Sequence, residues 1–167
     1  MRKNLPNLFM FVDKYDEKLF KNNKLSVGII YRNYNVHNRG EELFKIAKEC
    51  KKKRYSLFVS NNFKLAIKSK ADGIYIPAFN RAKNFLNLEK KNLKIIGSAH
   101  NQKEIKEKII QKCEVIFLSP VFYVKKSKKY LGIHKFNYLS RSNKIDFMAL
   151  GGINKNNIGK LRLLNVK

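Results

Sequence analysis

Short apolar runs alternate with helix-period segments along the whole chain. This alternation predicts a parallel sheet built from consecutive βα units. The runs are continuous rather than alternating in apolar character, as expected for strands covered on both faces. We predict strands at residues 8–12, 26–31, 56–60, 73–76, 93–98, 115–119 and 146–150. The helical spacing predicts helices at 40–53, 63–70, 81–91, 101–112 and 154–164, and a long loop with a short helix over 125–138.

The predicted fold is an α/β fold, a TIM-type (β/α) barrel with seven strands and no eighth strand within this sequence. The 167 residues fit one domain, so we expect a single (β/α) barrel domain over 1–167. The first and seventh strands then have unpaired edges. An open or doubly wound sheet is the alternative, but no G-x-G-x-x-G opens a helix, so a dinucleotide site is not indicated.

The formal charge of +25 suggests a polyanion partner. The excess positive charge is mostly lysine spread over every segment, and the aromatic residues lie in strand runs, so no specific nucleic-acid partner is expected.

Cys50 and Cys113 are far apart, which favours reduced thiols over a disulfide or a zinc site. No secretory leader and no membrane span is predicted, so we expect a cytoplasmic protein without a membrane partner.

The sharpest local motif is a strand that runs into Gly151, Gly152, Ile153 and Asn154. Glycines let the backbone approach an anion closely, and the N–H groups of the next turn point outward to receive it. The motif therefore predicts phosphate binding, and a plain tight turn is the alternative. We expect a β-branched residue at Gly152 to abolish phosphate binding and to leave the fold largely intact.

The order of the motifs resembles the thiamine phosphate synthase and thiazole tautomerase superfamily. The resemblance spans nearly the whole chain, and no single motif is diagnostic. The motifs are Tyr31-Arg32, then 57–62 with Leu65-Ala66, 71–76, Ser98-Ala99-His100, Ser119-Pro120-Val121-Phe122, and 149–153.

The resemblance implies an enzyme that joins an aminopyrimidine diphosphate to a thiazole phosphate, with loss of pyrophosphate through a carbocation-like pyrimidine. Catalysis of this kind is mostly electrostatic and positional. Arg32 matches the family's diphosphate-binding arginine, with a solvated or salt-bridged arginine as the alternative. Ser98 matches its diphosphate-contacting serine, and Lys126 or Lys128 could replace a loop lysine. The ligand residues expected around them are Gly151, Gly152, Ile153, Asn61, Asn80, Ser119 and His100.

The chain departs from the family pattern at the acidic positions. Asn61 and Asn80 stand where the family has its Mg²⁺-binding aspartates, and amide oxygens bind Mg²⁺ weakly. No cofactor is therefore certain, and Mg²⁺ has little support. A glutamine and a lysine beside the arginine motif are replaced by Ile30 and Tyr34, and the threonine pair after strand six is lost at Val124 and Lys126.

Three classes of function stay open. The first is synthase-like chemistry on a phosphorylated heterocycle. The second is a noncatalytic or tautomerase-like barrel that binds thiazole phosphate or thiamine phosphate. A tautomerase carries a histidine where this chain has Pro120, so His100 would have to serve as the base, with an ordinary loop histidine as the alternative. The third is a basic polyanion-binding protein. A homodimer is compatible with each.

Overall fold

The computed structural model describes residues 5–21, 26–34, 39–84, 92–125, 127 and 129–166. Two compact units are distinguished in the chain. Unit 1 comprises Met1–Tyr75 and Asn87–Lys94, and unit 2 comprises Ile76–Leu86 and Ile95–Lys167. The expectation of a single domain over 1–167 stays a prediction. No helix in the described ranges has the length and apolar character needed to cross a bilayer.

The strands form a parallel sheet in the order β1-β2-β3-β4-β5-β6-β7. All seven predicted strands are confirmed, with bounds that differ by at most one residue at either end. They are β1 (Leu8–Val12), β2 (Val27–Tyr31), β3 (Ser56–Ser60), β4 (Gly73–Ile76), β5 (Lys94–Ala99), β6 (Val115–Leu118) and β7 (Asp146–Ala149). The α/β fold is thus confirmed, while the described residues show neither an eighth strand nor a closed barrel.

Burial along the strands follows their places in the sheet. Every residue of β2, β3, β4 and β6 is buried, which agrees with their continuous apolar runs. Several residues of β1 and β7 are partly exposed, because among the described strands each pairs on one side only. The core of unit 1 includes Ile29, Phe58 and Ile74, and that of unit 2 includes Ile116 and Phe136.

The helices are α1 (Lys18–Lys21), α2 (Arg39–Lys53), α3 (Phe63–Lys68), α4 (Gln102–Ile110) and α5 (Gly132–Arg141), followed by a 3₁₀ helix (Ile158–Leu163). Asn101 caps α4, because its side chain accepts a hydrogen bond from the Glu104 N–H at 3.0 Å. The four-residue α1 was not predicted.

Two predicted helices differ from the structure. The helix predicted at 81–91 is absent over 81–84, and the rest of it lies outside the described residues. The helix predicted at 154–164 is a 3₁₀ helix that begins only at Ile158. Its first turn is lost because the Asn154 N–H donates to the Asn157 side chain at 2.8 Å, and the Asn154 side chain accepts from the Asn156 N–H at 2.9 Å. Such local bonds compete with helical ones.

Candidate functional site

The carboxyl ends of β5, β6 and β7 lie side by side in unit 2. The Ser119 N–H donates to the Ala99 carbonyl at 3.1 Å, and the Val121 N–H donates to the Leu150 carbonyl at 2.9 Å. The motifs that begin at Ser98, Ser119 and Gly151 therefore meet at one edge. Ligands of open α/β sheets bind at this end of parallel strands.

The glycine turn after β7 needs both of its glycines. Gly151 has φ +91° and Gly152 has φ +74°, a region that other residues enter at a cost. A Cβ at Gly152 would lie 2.5 Å from the Phe122 carbonyl oxygen, so backbone packs directly on backbone. The Gly151 carbonyl in turn accepts from the Phe122 N–H at 3.1 Å.

The turn also presents main-chain donors. Within the part of the chain that the structure describes, no acceptor is found for the N–H groups of Gly151, Gly152 and Ile153. The next amide, that of Asn154, is already bonded to Asn157. Consecutive unsatisfied amides next to residues with positive φ form a concave arrangement suited to an anion.

His100 is fixed at the end of β5 by two contacts. Its main-chain N–H donates to the Glu104 carboxylate at 2.7 Å, and its ring Nδ1 lies 2.6 Å from the Ser119 carbonyl oxygen. A carbonyl oxygen only accepts hydrogen bonds, so Nδ1 is the donor in this contact, and the Ser119 hydroxyl lies 3.3 Å from the same nitrogen. When the ring is neutral, Nε2 is then the nitrogen that can accept a proton, as a general base must.

We expect nitrogen-detected NMR at neutral or higher pH to show His100 as the Nδ1–H tautomer. The reason is the short contact from Nδ1 to the Ser119 carbonyl. His134, which is exposed on α5, is the internal control and should show the tautomer mixture of a solvated imidazole. A neutral His100 ring that is protonated at Nε2 would contradict the prediction.

Ser98 and Asn80 have different surroundings in unit 2. Ser98 is buried on β5, and it points to the face opposite Gly97 because successive strand residues alternate. The Asn80 side chain accepts from the Ala82 N–H at 2.7 Å, in a local turn. Its main-chain carbonyl accepts from Lys108 Nζ at 2.7 Å. Lys126 and Lys128 lie outside the described residues.

Arg32 in unit 1 is paired with an acid. Its Nε and Nη2 atoms donate to the two carboxylate oxygens of Asp13, both at 3.3 Å. This hydrogen bonding raises the pKa of Arg32. The β1 and β2 register aligns Val12 with Tyr31, so the two following residues meet. The salt-bridged arginine weighed as the alternative is what the structure contains, and a ligand anion would have to compete with Asp13.

Asn61 and Asn80, which the resemblance implies stand at acidic positions, do not suit Mg²⁺. Asn61 has φ +57°, a left-handed conformation that asparagine tolerates, and its N–H donates to the Tyr75 carbonyl at 2.9 Å. The Asn80 side-chain oxygen already accepts a hydrogen bond. Both are neutral amides, whereas Mg²⁺ favours carboxylates. No group of three or more metal-binding side chains lies within the described ranges.

Arg39 is a candidate that sequence reasoning missed. It begins α2, and its Nη2 atom donates to the Ser60 carbonyl at 2.8 Å, at the end of β3. Its guanidinium lies over the rings of Tyr31 and Tyr34. One feature of the sequence could have indicated it. Arginine is scarce beside lysine in this chain, and Arg39 stands at the start of the helix that follows β2.

The sequence model of the family described as "Thiamine monophosphate synthase" matches residues 22–167. The chain belongs to this family. It is 31% identical over 165 residues to the thiamine-phosphate synthase of Prochlorococcus marinus subsp. pastoris, covering 93% of this chain and 47% of that protein. It is 28% identical to the putative thiamine-phosphate synthase 2 of Aquifex aeolicus, covering 89% of this chain and 86% of that one.

Solved structures agree with the family on the fold. The thiamine phosphate pyrophosphorylase of Pyrococcus furiosus aligns with a TM-score of 0.72 at 18% identity, over 96% of this chain and 82% of that chain. A 4-hydroxy-2-oxoglutarate aldolase aligns with a TM-score of 0.66 at 11% identity, over 95% and 78%. Proteins of different activity share this fold, so these likenesses show the fold alone. The chain spans about half the length of the first cyanobacterial relative.

Proposed function

We propose that the chain is a thiamine phosphate synthase-like protein of thiamine biosynthesis that binds a phosphorylated thiazole. The observation that carries the proposal is the turn after β7, where the amides of Gly151, Gly152 and Ile153 have no acceptor among the described residues. Membership of the thiamine monophosphate synthase family supplies the substrate class. The phosphate of the thiazole would accept hydrogen bonds from these amides.

The finer part of the proposal is coupling to an aminopyrimidine diphosphate. The bond to the diphosphate oxygen breaks, its electron pair leaves with pyrophosphate, and the resulting pyrimidine cation is captured by the thiazole. The protein would act through positive charge and position rather than through a nucleophile. The residues proposed for this step are Arg32, Ser98, Lys126 and Lys128, and the diphosphate would have to displace the Asp13 carboxylate from Arg32.

Noncatalytic binding is the second candidate, and one observation favours it. The Asn80 side chain is used in a local turn, and Asn61 also lacks a carboxylate, so neither position suits the metal that the resemblance implies. A barrel that keeps its phosphate turn could then bind thiazole phosphate or thiamine phosphate without turnover. The tautomerase variant would use His100 Nε2 as its base.

Amide NMR tests the phosphate turn residue by residue. On addition of thiazole phosphate we expect saturable shifts of the Gly151, Gly152 and Ile153 amide signals, because a phosphate oxygen accepts their hydrogen bonds. The Asn154 and Asn156 amides, which already have acceptors, are the internal control and should move less. Shifts confined to surface lysine-rich segments, falling steeply with salt, would instead support polyanion binding.

A coupling assay separates the two candidates. Thiazole phosphate and aminopyrimidine diphosphate are supplied together, with and without Mg²⁺, and thiamine phosphate is measured. Turnover supports the synthase-like function, and turnover without Mg²⁺ would mean that basic side chains replace the metal. Saturable binding of thiazole phosphate or thiamine phosphate without turnover selects the noncatalytic candidate.

A further inference from the structure

Arg39 is held in unit 1 by groups from two neighbouring strand ends. Its Cζ atom lies 5.6 Å from the centre of the Tyr31 ring and 5.3 Å from that of the Tyr34 ring. Its Nη2 donates to the Ser60 carbonyl at 2.8 Å, and the Ser60 hydroxyl shares a hydrogen bond with the Tyr34 hydroxyl. Two rings and a carbonyl therefore hold the guanidinium in position.

Arg39 differs from Arg32 in having no acidic partner among the residues that the structure describes. Among the described residues no carboxylate lies within ion-pair distance of its guanidinium, in contrast to Arg32 with Asp13. Partial burial lowers the pKa of Arg39, because desolvation disfavours the charged form of the side chain. A partly desolvated, unpaired charge is costly, and an anion beside it offsets the cost.

Two buried hydrogen-bond donors, one on the Arg39 guanidinium and one on Tyr31, also lack an acceptor in the described part of the chain. Arg39 Nε and the Tyr31 hydroxyl are both buried, and neither has a partner within the described part of the chain. Buried donors without acceptors are rare in proteins and call for an explanation such as a bound water or ion. Among the described residues, they add to the excess of hydrogen-bond donors over acceptors around Arg39.

We propose that Arg39 is a further ligand-binding residue, which takes oxygens of a diphosphate group at the ends of β2 and β3. The inference rests on the proposed function for its ligand class. A planar guanidinium suits this class because it donates to two phosphate oxygens at once. The resemblance implies a lysine at the position of Tyr34. The Arg39 guanidinium, which lies over the Tyr34 ring, supplies a positive charge close to that position.

Calorimetric titration of the full chain with inorganic pyrophosphate tests the proposal. Arg39→Gln is expected to weaken pyrophosphate binding by about tenfold or more, the scale of a lost charge-assisted pair of hydrogen bonds. Arg39→Lys should bind with intermediate affinity, because it keeps the charge and loses the planar fork. Adding Tyr34→Lys to Arg39→Gln should restore much of the affinity.

Matched controls separate a binding role from loss of charge or of fold. Lys45→Gln removes an exposed cation from the same helix, and Arg141→Gln removes an exposed arginine from unit 2. Both should bind pyrophosphate as the unaltered chain does. In Arg39→Gln the affinity for thiazole phosphate should stay unchanged, since its proposed contacts are the amides of the Gly151 turn. A merely structural role would lower both affinities together, in step with a lower melting temperature.

The remaining outcomes are decisive as well. Unchanged pyrophosphate affinity in Arg39→Gln and Arg39→Lys, with binding intact in the unaltered chain, overturns the role of Arg39 and leaves the proposed function standing. An unaltered chain that binds neither pyrophosphate nor thiazole phosphate overturns both. Should Arg39→Gln fail to fold, a folded Arg39→Lys protein with full pyrophosphate affinity also overturns the role.

Discussion

Replacing Gly152 by valine is expected to lower the free energy of unfolding by about 3 kcal/mol or more, from left-handed backbone strain and overpacking together. Gly152 has φ +74°, which a β-branched residue adopts with difficulty. A Cβ there would lie 2.5 Å from the Phe122 carbonyl oxygen and 2.6 Å from that of Tyr123, so backbone would have to move. Urea unfolding followed by circular dichroism measures the loss.

Gly132 provides the matched control for Gly152→Val. It has φ +67°, but nothing lies within 4 Å of where its Cβ would be. Gly132→Val should therefore show only the backbone strain, roughly 1–2 kcal/mol. Equal losses at the two positions would mean that the contact with Phe122 and Tyr123 contributes nothing.

The same contact changes an expectation drawn from the sequence. From the sequence we expected a β-branched residue at Gly152 to leave the fold largely intact, whereas the close backbone of Phe122 and Tyr123 predicts a loss of stability. The glycine pair is required for packing as well as suited to anion binding, so a loss of phosphate affinity in this variant cannot separate the two roles. The amide signals of the turn are the better test.

The strands were predictable because their burial on both faces produces long apolar runs, as in β3 and β6. The conformation of the first turn after β7 was not predictable, because an asparagine side chain can either cap a helix or form a local turn. Asn101 caps α4, whereas the Asn157 side chain accepts from the Asn154 N–H and the Asn154 side chain accepts from the Asn156 N–H, which delays the helix. Whether an asparagine caps a helix or forms a turn depends on tertiary contacts, which the spacing of residues in the sequence does not show.

The candidate site was only partly predictable for a similar reason. The order of motifs placed Ser119 and Gly151 at strand ends, and the structure brings them to one edge of unit 2. The partner of Arg32 depends on the register between β1 and β2, and that register aligns Asp13 beside it. Arg39 lies outside every motif, and only its contacts with Tyr31, Tyr34 and Ser60 reveal it.

Replacing Lys108 by alanine is expected to lower the free energy of unfolding at neutral pH by about 3 kcal/mol, the scale of a large-to-small change in a core. Lys108 is fully buried on α4, and its stem occupies the space that the missing side chain of Gly97 leaves. Its Nζ donates to the Asn80 carbonyl at 2.7 Å and to the Gln111 side chain at 2.8 Å. Truncation leaves a cavity and removes a donor from both acceptors.

The matched control is Lys106→Ala, which removes an exposed lysine from the same helix and should change stability by no more than about 0.5 kcal/mol. The pH dependence identifies the buried amine. Burial lowers the pKa of Lys108, so on raising the pH the folded chain releases this proton before the unfolded chain does. The unfolded state then binds more protons, and stability rises with pH.

The stability gap between the unaltered chain and Lys108→Ala should therefore widen from neutral pH toward about 10, the range of an unfolded lysine. Burial raises the pKa of the Cys113 thiol to about 12, and losing the Lys108 charge would raise it further, so this thiol stays protonated in both folded proteins over this range, and its ionisation in the unfolded chain is common to both. A gap that stays constant or narrows would mean that the Lys108 ammonium is as well solvated in the folded chain as in the unfolded one. In that case the hydrogen bonds from Lys108 to Asn80 and Gln111 would not be bonds from a buried charge.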